Sequence, residues 1–134
     1  MNSNTQAEIR ILIVDDDEAV LQLVDKMLSR VGFTPVLARN ATQAAAILKQ
    51  PPLPHLVILD MMLPDISGME FLRQMRSKSL FDPVPVLILS ALADPELIRE
   101  GLSKGADRYL TKPYLANNLI NTVKELLRSG RVRH

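Results

Sequence analysis

The sequence contains no cysteine. A disulfide framework, a thiolate metal site and a cysteine nucleophile are therefore excluded. It also has no long apolar run; the longest are strand-sized, well short of the roughly 18–20 residues that cross a bilayer, so no membrane partner is expected. The first eight residues, MNSNTQAE, are polar and lack the basic stretch of a targeting signal. Residues 1–8 are read as a flexible arm. Neither sign of charge dominates: 16 Lys and Arg face 15 Asp and Glu, for a formal net charge of +1. That balance gives no support to a nucleic-acid footprint spread over the domain. His55 and His134 form no constellation, and no internal repeat is visible.

What remains is 134 residues with 47% hydrophobic and 23% charged side chains, ordinary values for one globular domain with a real core. The near-zero balance hides a local excess. Asp15, Asp16, Asp17 and Glu18 place four acids in consecutive positions.

The chain alternates short β-branched runs with helical stripes. Strands are predicted over Ile9–Val14, Thr34–Arg39, Leu56–Leu59, Val84–Leu89 and Arg108–Leu110, and helices over Asp17–Val31, Ala41–Lys49, Ser67–Arg76, Pro95–Ser103 and Ala116–Arg128. In the first helix Val20, Leu23, Val24, Met27, Leu28 and Val31 are read as the apolar stripe. Pro35 favours an edge position for the second strand. Asn40 and Asp94 are placed as N-caps, and Gly32 and Gly105 as stops. Five strands alternating with five helices predict an α/β domain over residues 9–128, a parallel sheet covered on both faces. Residues 129–134 are read as a basic tail or linker stub, with Arg128, Arg131 and Arg133 solvated.

The polar residues gather where the buried runs end. The first run stops at Asp15 and Asp16, the third at Asp60 and the fourth at Ser90, while the fifth leads into Lys112. In a parallel sheet these ends share one edge, where open α/β sheets place ligands, and neighbouring strands are about 4.8 Å apart. Three carboxylates held together repel unless a cation joins them. An all-oxygen pocket suits Mg²⁺ first and Mn²⁺ next. Asp60, beside a metal and Lys112, is placed to attack phosphorus, with Lys112 and Ser90 holding the phosphoryl group.

The segments IVDDDEAV, LVILDMMLPDISGME, ILSA and RYLTKPY stand in the order and spacing of the response-regulator receiver domain of two-component signalling, which the chain resembles over residues 9 to 128. The resemblance implies a flavodoxin-like fold with strand order 2-1-3-4-5 and a cytoplasmic phosphoacceptor switch, not a turnover enzyme. It implies that Asp60 is the phosphoacceptor, and that Asp15, Asp16, Asp60 and the Met62 backbone carbonyl hold Mg²⁺. Ser90 and Lys112 would bind the phosphoryl group, and Tyr109 would be the aromatic that turns on activation. Pro64 and Gly68 would shape the loop after Asp60, and Pro113 would follow Lys112 through a cis peptide bond. The implied partners are a sensor histidine kinase or phosphotransfer protein and an output domain or protein met through the fourth helix, fifth strand and fifth helix. A phosphorylation-linked homodimer is a further expectation; direct nucleic-acid binding by this domain is not.

Blander readings stand beside these. Asp15 and Asp16 could only cap the first helix, while Asp17 and Glu18 are read as solvated first-turn charges. Ser90 could be a plain hydroxyl near a helix, Tyr109 half-buried core, and Met61, Met62 and Met69 packing. An EF-hand fails for want of its glycine and final acid. A phosphatase of the haloacid-dehalogenase type would need an acid at position 62, where Met62 stands, and an unphosphorylated binding module leaves the matched pocket unexplained. Leu115 departs from the Asp or Thr that usually opens the last helix. Met62 and Leu92 are both apolar at positions that influence attacking water in the family, which predicts a long-lived phosphorylated form.

Overall fold

The computed structural model describes residues 8–112 and 116–134; residues 1–7 of the expected arm, the Pro113 peptide bond and the Leu115 cap position lie outside them. The elements follow the predicted alternation: β1 Arg10–Val14, α1 Glu18–Arg30, β2 Thr34–Ala38, α2 Ala41–Leu48, β3 Leu56–Leu59, α3 Gly68–Arg76, a 3₁₀ turn at Ser79–Phe81, β4 Val86–Ser90, α4 Pro95–Ser103, β5 Arg108–Thr111 and α5 Ala116–Ser129. The five strands form one sheet in the order β2-β1-β3-β4-β5, every pair parallel. Pro35 lies on edge strand β2, where its missing N–H costs least.

Strand side chains alternate between two cores. Leu12, Val14, Val57, Leu59, Val86 and Ile88 pack with Ala44 and Leu48 of α2 and Phe71, Leu72 and Met75 of α3. Ile11, Ile13, Leu56, Ile58, Leu87 and Leu89 pack with Leu21, Val24 and Leu28 of α1 and Leu119, Val123 and Leu126 of α5. The central strands are thus buried on both faces, which is why they read as unbroken apolar runs. Among the described residues no helix is long and apolar enough to cross a membrane.

Three readings change. The stripe of α1 centres on Leu21, Val24 and Leu28, whereas Leu23 is 52% exposed and Val31 39%. At 100° per residue Leu23 lies far round the helix from Leu21, although its three- and four-residue spacing from Val20 and Met27 predicts it in the stripe. β4 starts two residues later than predicted, at Val86, and runs to include Ser90.

The C-terminal segment is also solvated only in part: Arg128 and Arg133 are exposed as expected, but Arg131 is not. Gly130 turns at φ 76, in the left-handed region that favours glycine. The chain then folds back to the edge of the sheet opposite the strand C-termini. There Arg131, with its side chain 9% exposed, donates Nε to Asp107 Oδ1 at 2.8 Å and Nη1 to the Asp82 carbonyl at 2.8 Å. Asp107 is fully buried and also accepts from Arg76 Nη2 at 3.3 Å and the Val86 N–H at 2.8 Å. Arg133 pairs with Asp82 at 2.9 Å. Burial, then the neighbouring Arg131 charge, bring Arg76 down to about 10. The two guanidiniums share one buried carboxylate.

Candidate functional site

The C-terminal ends of β1, β3, β4 and β5 deliver the candidate residues to one edge. Asp15 follows β1 directly, and its N–H donates to the Ala38 carbonyl at 3.1 Å, fixing it against the end of β2. Its Oδ1 accepts from the Asp17 N–H at 2.9 Å. Asp60 follows β3, with its own N–H donating to the Val14 carbonyl at 2.9 Å and its Oδ1 accepting from the Met62 N–H at 3.3 Å. Asp15 and Asp60 are buried and Asp16 is exposed, yet one carboxylate oxygen from each lies within 4.8 Å of the others. Lys112 enters from beyond β5, held by its N–H on the Ser90 carbonyl at 2.8 Å. Its Nζ lies 2.9 Å from Asp15 Oδ2 and 3.7 Å from Asp60 Oδ2.

The run of four acids therefore divides. Asp15 and Asp16 face the cluster with Asp60. Asp17 is the N-cap of α1, accepting from Ala19 and Val20 N–H at 2.9 and 3.4 Å. Glu18 reaches across to Arg39 after β2, with Nε–Oε1 at 2.7 Å. Both stay exposed, as predicted, but each has a partner the sequence did not name.

The charges strain against one another. Burial first, then the Asp15 charge, raise the Asp60 carboxyl above the ordinary carboxylate range; Lys112, the Met62 N–H and the Ser90 hydroxyl offset only part of this. Burial alone would lower Lys112, but its bond and attraction to Asp15, with Asp60 beside it, raise it instead. Lys112 is thus held cationic, and it lies within 4 Å of only two of the three carboxylates, Asp15 and Asp60. An all-oxygen, anion-rich cluster short of positive charge fits a hard divalent cation.

Ser90 ends β4 fully buried, its Oγ accepting from the Leu92 N–H at 3.3 Å. Tyr109 is half-buried, and its hydroxyl donates to the Leu92 carbonyl at 2.6 Å. One short segment after β4 thus carries contacts to both candidate switch residues. Gly68 opens α3 with its N–H on the Met61 carbonyl at 2.9 Å, so close that a Cβ there would lie 2.2 Å from the Asp60 carbonyl oxygen. Met62 is 57% exposed and Pro64 is exposed in the same loop.

The sequence reading overlooked Asp65. Its Oδ1 accepts from the Ala41 and Ile66 N–H groups, both at 3.0 Å. Its Oδ2 accepts from the Thr42 N–H at 2.9 Å and the Thr42 hydroxyl at 2.8 Å. Apart from Ile66, its partners stand 23 and 24 positions away, beyond any local signal.

Comparison with known proteins matches residues 11–124 to the response regulator receiver domain. The Phosphate regulon transcriptional regulatory protein PhoB of Escherichia coli (strain K12) is 36% identical over 119 residues, covering 89% of this chain and 52% of its own. Response regulator MprA of Mycobacterium ulcerans (strain Agy99) is 38% identical over 120 residues, covering 90% of this chain and 50% of its own. The chain spans about half the length of these curated relatives. Among solved structures, the CheY-like response regulator receiver domain protein of Methanospirillum hungatei JF-1 superposes with a TM-score of 0.84 at 30% identity, covering 91% of this chain and 95% of that one.

Proposed function

This chain belongs to the response regulator receiver domain family of two-component systems, and from that premise we propose that it is a phosphoacceptor switch whose acceptor is Asp60. The observation that carries the reading is the meeting of Asp15, Asp16, Asp60 and Lys112 at one sheet edge, although Lys112 stands 97 positions from Asp15. The donor is a sensor histidine kinase or a phosphotransfer protein.

In the transfer, an Asp60 carboxylate oxygen forms a bond to phosphorus while the bond from phosphorus to the donor nitrogen breaks, leaving its electron pair on that nitrogen. The acyl phosphate stays on the protein, so the chain is a signalling switch and not a turnover enzyme. Asp15, Asp16, Asp60 and the Met62 carbonyl would hold Mg²⁺, with Mn²⁺ as a substitute. When bound, the cation supplies positive charge toward the transferring oxygens. Lys112, already held between Asp15 and Asp60, adds a fixed cation. The Met62 N–H keeps Asp60 oriented.

The phosphoryl group brings about −1.5 to −2 charges and three strong acceptors. Ser90 and Lys112 sit on different connections, and both are drawn toward it. Ser90, Leu92 and Tyr109 are already linked through the backbone of Leu92, so a moving hydroxyl is felt at Tyr109. The face built by α4, β5 and α5 then changes its population of states and meets an output domain, a partner protein or a second phosphorylated copy.

The test is to incubate the protein with Mg²⁺ and a small phosphodonor and weigh it. A single phosphoryl adduct is expected, absent without Mg²⁺ and absent in Asp60→Asn. An adduct that survives Asp60→Asn removes Asp60 from the role.

A further inference from the structure

The connection from Asp60 to α3 carries the phosphoacceptor and the Met62 carbonyl. Among the described residues, its outer part, residues 62–66, is tied by hydrogen bonds to another element through Asp65 alone. Met62 bonds only back to Asp60, and the Ile66 N–H turns onto Asp65 itself.

We propose that Asp65 is a positioning residue for the phosphorylation site, a latch that holds the connection after β3 against the start of α2 and so keeps the Met62 carbonyl where a divalent cation needs it. This rests on the reading of Asp15, Asp16 and Asp60 as the cation site.

Three observations separate a latch from a plain helix cap. First, α2 already has a cap: Asn40 Oδ1 accepts from the Gln43 N–H at 2.7 Å. Asp65 takes up the two N–H groups that Asn40 leaves, so it acts from outside the helix. Second, it gathers four donors on two oxygens, including a side-chain hydroxyl, where a cap needs one or two. The Ala41 N–H, then the Thr42 and Ile66 groups, hold its carboxyl well below the ordinary carboxylate range, although it is exposed. It is therefore ionised at neutral pH, the form in which both oxygens accept. Third, a second tie runs the other way around the pocket. Glu18 after the β1 end bridges to Arg39 after the β2 end, and Asp65 after the β3 end bridges to Thr42. The connections that follow β1, β2 and β3 are thus linked by side-chain contacts at one sheet edge.

Groups that orient metal ligands from behind commonly cost 10–100-fold in affinity when removed. Asp65 acts through a short loop, so the lower end applies. The experiment is calorimetric titration of the full chain with Mg²⁺, for wild type, Asp65→Ala, Asp65→Asn, Thr42→Val and Asp60→Asn, with urea unfolding of each in parallel. Asp65→Ala is expected to weaken Mg²⁺ about tenfold. Asp65→Asn, which keeps one acceptor oxygen, and Thr42→Val, which removes one donor from the far side, should fall between it and wild type. Unchanged affinity in Asp65→Ala beside a lower unfolding midpoint makes Asp65 a simple cap and overturns the proposal. If Asp65→Ala does not fold, Asp65→Asn and Thr42→Val decide in the same way. Asp60→Asn separates the premises: if it leaves Mg²⁺ binding intact, the site reading fails; if it abolishes binding while the Asp65 and Thr42 variants bind normally, only the latch fails.

Discussion

Gly68→Ala adds one methyl group at the tightest backbone approach beside the acceptor. The new Cβ would lie 2.2 Å from the Asp60 carbonyl oxygen, 2.7 Å from Met61 Cα and 3.0 Å from the Asp60 carbonyl carbon. All three are backbone atoms of Asp60 and Met61, the segment that carries the proposed phosphoacceptor, so no side chain can rotate away. Ordinary contact begins near 3.4 Å, and α3 must retreat by about 1 Å to reach it. That retreat stretches the Gly68 N–H bond to the Met61 carbonyl, now 2.9 Å, worth about 1 kcal/mol. It also drags Phe71, Leu72 and Met75, all buried, against a packed core, where overpacking costs about 1–3 kcal/mol. The expected loss is about 2–4 kcal/mol in urea unfolding, with weakened Mg²⁺ binding because Asp60 moves too. Gly101→Ala is the internal control. Its Cβ would meet a side-chain end, Ile88 Cδ1, at 3.0 Å and the Tyr109 ring at ordinary contact distances of 3.7 and 3.8 Å, with no backbone atom in the way, and replacing a helical glycine recovers up to about 1 kcal/mol. A Gly68→Ala protein within about 0.5 kcal/mol of wild type, the ordinary range for harmless surface changes, would refute the steric reasoning.

Burial and the Asp15 charge raise Asp60 above its unfolded value near 3.8. The folded state therefore holds more protons between 3.8 and the raised value, and metal-free stability must fall as pH rises through that window. Asp60→Asn removes this loss and should be the more stable protein above it without divalent ions; parallel stability curves for the two from pH 4 to 7 would contradict this. Arg131→Ala takes from buried Asp107 its closest guanidinium and leaves Arg76. Breaking a buried pair outright costs about 3–5 kcal/mol, and the remaining partner reduces this to about 1–3. Unfolding measures the loss; a silent substitution would mean that the fold-back contributes nothing. Met62 is exposed and Leu92 is apolar, so neither side chain can hydrogen-bond an attacking water near Asp60. A Met62→Asn, Leu92→Glu variant should lose its phosphoryl group faster than wild type, and equal decay followed by mass would end that explanation.

Much of this protein is written locally, and what is not shares one cause. The core strands announce themselves because burial on both faces allows no polar residue in Ile11–Val14 or Leu56–Leu59. Their ends announce the site because the first polar residue after each run falls on one sheet edge. Strand order came from resemblance, since nothing in Thr34–Ala38 states which neighbour it pairs with. Errors arose where a side chain's type was taken for its environment. Leu23 is apolar and faces outward; Arg131 is charged and lies nearly buried. A guanidinium can leave water only where a buried acceptor waits, and Asp107 gives no sign in the sequence of being buried with room for two. Asp65 was passed over for the same reason. Three of its four donors come from the start of α2, which only the folded sheet brings beside it. Polar partnerships over long sequence distances are fixed by topology, and they are what sets an acidic cluster that merely looks like a cation site apart from one held in position to act as one.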